Sequence, residues 1–349
     1  MAAEPSTKAK AWAIFDRIIE RVEIGELRSN PWVKDSEGCR RYEPDYDTLC
    51  LLLGVPLHLK ANTQSGVPAL ALDVWISYEL RRAGFGVDET WPRSKHPRIL
   101  PGPVARLLSE LPRREADLLR ARIERQGAIS GVTSSSATIL GKNYLKQVDV
   151  IISDWATGPE LLISTKRMDS SYGKNAPNRV EESYGDAKNL RLRHPLAALG
   201  FVFGLRSDIL EKEPATAEWL FDLLAKLGQE DDAYHATALV LMEYSDGVSL
   251  VDNGDEGAPD VTHEPGAEPD GEQVLSVDED LEHTIECLPK VRIRLDETPE
   301  ELMPSRFLAA MVDRVLGATP VTMHKIARAR RAEPLVEFQL EQVTPIEPN

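Results

Sequence analysis

Two periodicities of apolar and polar positions run along this chain of 349 residues. Apolar residues spaced three and four apart predict amphipathic helices. These segments are residues 7–22, 70–83, 107–126, 178–193, 216–227 and 307–315. Short apolar runs bounded by turn residues predict strands instead. These runs cover residues 85–91, 147–154, 160–167, 199–205, 238–244 and 291–295.

The order of these elements predicts an α/β fold. In the middle third of the chain the pattern is strand, strand, helix, strand, which favours a mixed central sheet flanked by helices. We therefore predict a core over residues 67–210, with a helical N-terminal region over 1–66 and an α+β C-terminal region over 211–349.

Charge is distributed unevenly along the chain. The sequence has 41 Lys and Arg against 57 Asp and Glu, a net charge of -16. Twelve of the acidic residues, with no Lys or Arg, lie in an acidic insert over 252–283, which leaves -4 for the rest. The insert follows a predicted hairpin, 238–244 and 248–251 around Asp246-Gly247, and its composition is typical of a disordered or solvated segment. The overall negative charge therefore does not exclude a nucleic-acid partner.

Several classes of protein are disfavoured by missing signals. Cys39, Cys50 and Cys287 are widely separated and form no CxxC pair, so neither a disulfide framework nor a zinc cluster is expected. No apolar run has the length of a membrane span or of a signal segment, and we expect a cytoplasmic protein. The chain also lacks the GxxxxGK[ST], GxGxxG, HExxH and GxSxG motifs.

Polar side chains interrupt the two central apolar runs. Asp149 lies within the run 147–154, and Lys166 lies near the end of the run 160–167. The Gly158-Pro159 turn between them predicts neighbouring strands that bring both side chains to one edge of a sheet. A carboxylate and a lysine at the ends of buried strands are costly unless an ion or a reacting group uses them.

This pair resembles the active-site motif of the PD-(D/E)xK nuclease superfamily, the fold of many type II restriction endonucleases. The family pattern is an acid on one strand and an acid-x-Lys on the next, and this chain has Val148-Asp149 followed by Ser164-Thr165-Lys166. Glu79, on the helix before the sheet, matches a further helix glutamate of many members. The resemblance covers roughly residues 70–205 and implies a restriction-endonuclease-like core.

The resemblance implies a Mg2+-dependent deoxyribonuclease of restriction type that cleaves phosphodiester bonds with a metal-activated water. Asp149, the Thr165 carbonyl and Glu79 would bind the ion, and Lys166 would orient or deprotonate the water. Ser164 departs from the pattern, because a hydroxyl replaces the second acid. In some members the acid comes from the following helix, which makes Glu182 the first choice here and Glu181 the second.

Further residues and partners follow from the same resemblance. Arg179, Glu182, Asp186, Asn189 and Arg193 are spaced three and four apart and predict one polar stripe on that helix. Contacts to the substrate are expected from Lys142, Ser164, Arg167 and Arg179. The expected partners are double-stranded DNA, a second copy of the chain as a homodimer and a companion DNA methyltransferase.

Alternative interpretations remain open from the sequence alone. Asp149 is also compatible with a turn, Lys166-Arg167 with a solvated strand end, and Glu79 with the outer face of a helix. A second functional hypothesis is a nuclease-like fold whose metal site has decayed at Ser164 and which only binds nucleic acid or a protein.

Overall fold

The computed structural model describes residues 5–23, 30–125, 137–229, 233–245, 247, 250 and 280–336. The helices in these residues are α1 (Thr7–Glu23), α2 (Tyr46–His58), α3 (Val67–Arg82), α4 (Gly102–Glu110), α5 (Arg113–Arg125), α6 (Tyr172–Arg191), α7 (Ile209–Lys212), α8 (Pro214–Leu227), α9 (Asp280–Glu286), α10 (Pro304–Ala318) and α11 (Lys325–Ala332). The strands are β1 (Trp32–Lys34), β2 (Arg40–Tyr42), β3 (Thr90–Trp91), β4 (Ala137–Leu140), β5 (Leu145–Val148), β6 (Val150–Asp154), β7 (Gly158–Met168), β8 (Ala198–Arg206), β9 (Ala236–Glu243), β10 (Arg292–Ile293) and β11 (Leu335–Val336).

Six strands form one mixed sheet in the order β10-β9-β8-β7-β6-β3. A turn of three residues joins β6 to β7, so these strands pair antiparallel. Helix α6 carries the chain from β7 to β8, and α8 lies between β8 and β9, so β7, β8 and β9 run parallel. The prediction of an α/β fold with a mixed central sheet flanked by helices is confirmed at this level.

The two faces of this sheet bury separate hydrophobic cores. On one face Leu161 and Ile163 of β7 pack with apolar residues of α1, α2, α3 and α10. On the other face Leu162 packs with residues of α6 and α8. Successive side chains of a strand point to opposite faces, so each position of β7 is assigned to the α3 side or the α6 side by its register.

The strand predicted over 147–154 divides at Asp149. Residues before it form β5, which pairs with β4 in a separate two-stranded sheet. Residues after it form β6, which joins the central sheet. Asp149 therefore lies at the junction between two sheets, and its backbone belongs to neither strand.

Helix α6 is longer than its apolar pattern predicted. It begins at Tyr172, six residues before 178, and includes Pro177. The buried Tyr172 secures its first turn, because the phenolic hydroxyl donates a hydrogen bond to Asp169 O at 3.0 Å and contacts Asp208. The sequence prediction missed this turn because its residues are mostly polar.

The C-terminal region adds strands to the same sheet. Strand β9 pairs antiparallel with the two-residue β10, which is shorter than the predicted strand 291–295. The sheet thus continues across the predicted domain boundary at 210. The second strand of the predicted hairpin and most of the acidic insert, residues 251–279, lie outside the described residues. The insert's predicted end falls within α9, where Glu282 pairs with Arg17 and Arg21 of α1.

Helix α11 packs against the end of α3 through a close backbone contact. Gly84 has a φ of +103°, and a Cβ built there would lie 2.7 Å from the Ala327 nitrogen. Arg330 of α11 also donates hydrogen bonds to the carbonyls of Arg81 and Arg82. The basic C-terminal segment therefore contributes to the fold around α3. None of the helices in the described part of the chain has the length and apolar character that a membrane span requires.

We expect Gly84→Ala to lower the free energy of unfolding by more than the roughly 1 kcal/mol that a positive φ alone costs. The added methyl group would meet α11 backbone that cannot rotate away. Gly38→Ala is the matched control, because Gly38 has a φ of +80° and open space around its Cβ position. Thermal or urea denaturation measures both variants, and equal losses would contradict the close contact.

Candidate functional site

The alternation along β7 separates the candidate site into two sides. Thr165 shares the register of Ile163 and contacts α3, where its Oγ1 donates a hydrogen bond to Asp73. Lys166 points to the opposite face, where its Nζ lies 3.6 Å from Glu182 Oε1 of α6. Strand β7 thereby contacts a carboxylate on each flanking helix, Asp73 on α3 and Glu182 on α6.

Asp149 is fixed to this strand by a main-chain hydrogen bond. The Thr165 N–H donates to Asp149 Oδ2 at 2.8 Å. This bond forms because Val150 pairs with Ile163 across the β6–β7 hairpin, which places Asp149 beside the following residues of β7. The predicted juxtaposition of Asp149 with the lysine strand is present, and the half-buried carboxylate retains contact with solvent.

Asp73 is a site residue that sequence reasoning missed. Its side chain is 7% exposed, and its Oδ1 accepts the Thr165 hydroxyl at 2.5 Å. Burial raises the pKa of Asp73 well above its ordinary value, and the charge of Asp149 raises it further, while Lys8 and Lys166 partly offset these effects. Two carboxyl groups, one buried and one accessible, thus flank Thr165.

A narrow cleft of about 60 Å³ opens beside Asp73 and Asp149. This volume accommodates a few water molecules. Basic and aromatic side chains from α1, β3 and the following loop share the lining with the two acids. The lining residues are Lys8, Trp12, Leu70, Asp73, Trp91, Pro92, Arg98, Ile99, Ala137, Gln147, Val148 and Asp149.

Glu182 lies among three cations on the α6 side. Besides Lys166, Lys146 Nζ is 4.0 Å from its Oε1, and Arg179 Nη1 is 3.4 Å from its Oε2. Its side chain is 31% exposed, so it remains open to solvent as well as to Lys166. Glu181, the second choice from the sequence, is exposed on a different face of the helix.

A buried ion pair supports this arrangement. Lys146 Nζ lies 2.8 Å from Asp186 Oδ2, and both side chains are 8% exposed. The Tyr144 hydroxyl donates a hydrogen bond to Asp186 Oδ1 at 3.1 Å. Burial together with the charge of Asp186 raises the pKa of Tyr144 to about 12. Asp186 belongs to the predicted polar stripe, whereas Lys146 was missed because a lysine in a short strand gives no indication that it is buried.

The expected metal ligand Glu79 is not brought to this group. Its carboxylate is fully buried and accepts hydrogen bonds from the Asp45 N–H at 2.8 Å and from the Tyr42 hydroxyl at 3.1 Å. Arg82 Nη1 lies 2.7 Å from Glu79 Oε2. Burial raises the pKa of Glu79, and Arg82 counteracts this. Glu79 therefore holds the loop before α2 against α3, and these contacts use its carboxylate away from Asp149 and Lys166.

Two residues that were expected to contact the substrate have little exposed surface. Ser164 is buried beside the phenol of Tyr234, so its hydroxyl is not available at the surface. The Arg167 side chain is 1% exposed, because it points to the α3 side and binds Asp169 at 2.9 Å. Both residues support the fold beside the site.

The remaining expected contacts are accessible. Arg179 is partly exposed beside Glu182. Lys142 is exposed in the β4–β5 turn, and its main-chain N–H donates to Asn189 O at 2.8 Å.

Within the described residues, no group of three or more His, Cys, Asp and Glu side chains is arranged to hold a metal ion. Comparison of the chain with protein-family models, curated proteins and solved structures gives no match.

We expect Asp73→Asn to raise the thermal midpoint of the metal-free protein at neutral pH. Because the folded state binds the Asp73 proton more tightly than the unfolded chain, this residue's contribution to stability falls as pH rises above 3.8. An amide keeps the acceptor for Thr165 without the buried charge. Thermal denaturation in EDTA measures the effect, which should vanish towards acidic pH. A lower midpoint for the variant at neutral pH would contradict the burial argument.

Proposed function

We propose that this protein is a Mg2+-dependent DNA endonuclease of the PD-(D/E)xK type. The observation that carries the proposal is the position of Asp149 and Lys166. The N–H of Thr165, the residue before Lys166, donates a hydrogen bond of 2.8 Å to the Asp149 carboxylate. Asp73 contacts this strand from α3, and Glu182 contacts it from α6. An acid next to a lysine at the open end of a buried sheet is the arrangement on which the resemblance rests.

The order of the surrounding elements gives further support. Helix α3 precedes the antiparallel strands β3, β6 and β7, and α6 then leads to β8, which is parallel to β7. The same succession of helix, acid strand, lysine strand, helix and strand led to the resemblance in the sequence. A restriction-endonuclease-like core is therefore part of the proposal.

The residues at the cleft fit a hard divalent cation. Mg2+ prefers carboxylate, carbonyl and water oxygens and keeps several waters. Asp149 and Asp73 supply two carboxyl groups around a cleft with room for water, and a bound cation would favour ionised Asp73. When bound, the ion would lower the pKa of a coordinated water and neutralise charge on the scissile phosphate.

The chain's own residues have separate roles in this proposal. Asp149 and Asp73 would hold the ion, and Lys166, on the α6 face of β7, would orient the attacking water or take its proton. Glu182 either supplies the acid that is missing at Ser164 or fixes the Lys166 ammonium through their 3.6 Å contact. The Lys146–Asp186 pair holds the α6 side in place. Hydrolysis then breaks one P–O bond and leaves the phosphate on one DNA end.

A second candidate function is a nuclease-like fold that binds nucleic acid without cutting it. The observation that favours it is Ser164, where an acid is expected and the structure has a buried hydroxyl. Nicking of supercoiled plasmid distinguishes the two candidates. Only the nuclease nicks the plasmid in the presence of Mg2+, and this nicking stops when EDTA is added.

We expect Asp149→Ala and Lys166→Ala each to reduce Mg2+-dependent plasmid cleavage by about 10²–10⁴-fold, the range for a lost catalytic acid or base. DNA binding in EDTA should persist in both variants, because the proposed roles of these residues are to bind the ion and the attacking water. Lys226→Ala is the control, because this lysine is 65% exposed and pairs with Asp222 on α8. Wild-type cleavage in either site variant would exclude that residue from the mechanism.

The contribution of Glu182 to cleavage is tested by comparing its alanine variant with that of Glu181. We expect Glu182→Ala to cost about 10–100-fold in cleavage, as for a lost metal ligand or its supporting group, and Glu181→Ala to change little. A higher Mg2+ requirement in Glu182→Ala would indicate a ligand, whereas a shifted pH profile at saturating Mg2+ would indicate that Glu182 acts through Lys166. Full activity in Glu182→Ala would remove it from the site, and equal losses in both variants would contradict the choice of Glu182.

A further inference from the structure

A helical arm is rooted at the edge of the cleft that contains Asp149. Ile99, three residues before α4, lines the cleft, and so does Ala137, the first described residue after α5. The arm therefore begins next to the candidate site.

The arm has a small hydrophobic core of its own. Leu100, Leu108 and Ile123 are buried together between its helices. Arg120 reinforces the pairing, because its Nη2 donates a hydrogen bond to Leu108 O at 3.1 Å. The arm is therefore a folded extension whose outer surfaces are set by the packing of α4 against α5.

The arm and the loop before it are basic in an acidic protein. Residues 92–125 contain nine Lys and Arg and four Asp and Glu, a net charge of +5 in a chain of -16. Some of these cations are used internally. Arg98 binds Asp16 with two hydrogen bonds of 2.8 Å, and Arg93 pairs with Asp88 at 2.8 Å.

Three arginines of the arm remain available. The described residues provide no hydrogen bond or ion pair to the side chains of Arg106, Arg114 and Arg122, and all three residues are exposed. By contrast, Asp117 is shared between Arg113 and Arg120. The acidic side chain in the middle of α5 is thus already paired, and it does not neutralise Arg114 or Arg122.

The available arginines of α5 form one stripe. Arg114, Leu118 and Arg122 are four residues apart and so project from the same side of the helix, opposite the buried Ala116 and Ile123. The two arginines lie about 12 Å apart along the axis, comparable with the roughly 12 Å width of the DNA major groove. This spacing suits contacts to phosphates on the two sides of a groove.

The composition of the arm distinguishes among polyanionic partners. Proteins that bind single strands combine basic grooves with aromatic side chains on which bases stack. Residues 102–125 contain no aromatic residue. The arm can therefore contact phosphates but offers no stacking platform, which favours the backbone of a duplex.

We propose that the arm formed by α4 and α5 binds the sugar-phosphate backbone of double-stranded DNA through Arg106, Arg114 and Arg122, and holds the duplex at the cleft beside Asp149. This inference rests on the proposed function, since it assigns a binding surface to the same site. The other basic segment, α11, does not serve this role, because Arg328 binds the carbonyls of Leu316 and Thr319 and Arg331 binds Asp313.

The test measures binding of a fluorescently labelled DNA duplex in EDTA by anisotropy over a range of salt concentrations. We expect the triple variant Arg106→Gln, Arg114→Gln, Arg122→Gln to bind at least about tenfold more weakly, with the slope of log K against log salt reduced by about 1 for each lost phosphate contact. The matched control is Lys212→Gln, Lys226→Gln, Arg306→Gln, which removes the same charge from exposed positions on α7, α8 and α10.

The outcomes separate this inference from the proposed function. Loss of duplex binding in the arm variant supports the arm even if the wild-type protein never cleaves DNA with Mg2+. Unchanged affinity and salt slope in the arm variant overturn the arm, even if cleavage is observed. An equal loss in the control, equal affinity for a single strand of the same length, or no duplex binding by the wild type would also overturn it.

A neutral change on the same stripe tests whether the arginines or the apolar surface carry the contact with DNA. Leu118 is 67% exposed between Arg114 and Arg122. Leu118→Gln should leave the salt slope unchanged if arginines carry the contact. If Leu118→Gln weakens duplex binding as much as the triple variant does, the stripe acts through its apolar surface and the assignment to phosphate contacts is overturned. Circular dichroism of each variant confirms that the helices remain folded.

Discussion

The candidate site depends on the hydrogen bond from the Thr165 N–H to Asp149. A main-chain donor on the central strand fixes the carboxylate at the junction of two sheets, so that its position follows from strand register. The same strand sends the Thr165 side chain to Asp73 and the Lys166 side chain to Glu182. Disturbing β7 would therefore move all four groups together, and this is why the site requires the packed helices on both faces.

Alternation along β7 also explains where the structure places the residues that the sequence singled out. The apolar runs predicted the strand, and Lys166 faces α6, the helix that carries Glu182. Arg167, one position later, points to the other face and is buried against Asp169. A pattern of residue types cannot distinguish these neighbours, because the face that each one occupies depends on register, and register depends on pairing with β6 and β8.

The choice between the two acids of α3 shows a similar limit of prediction from the sequence. The periodicity of α3 was evident, but two acids lie on it, and six residues correspond to about 240° around a helix. Asp73 therefore faces β7 while Glu79 faces the loop before α2. Arg82, three residues after Glu79, was the available signal for an internal ion pair. The polar start of α6 was likewise hidden, because Tyr172 anchors it through contacts distant in sequence.

Net charge alone does not describe the charged surfaces of this protein, because cations differ in whether the fold already uses them. The arginines of α11 look like a basic surface in the sequence, yet they bind carbonyls and Asp313. The arginines of the arm carry a similar charge but stand on a two-helix extension with few acids to pair with. A negative chain can therefore present a positive surface on one extension. Screening limits such fields to about 10 Å at moderate salt, so the charge of the arm itself matters more for its surroundings than the total charge of the chain.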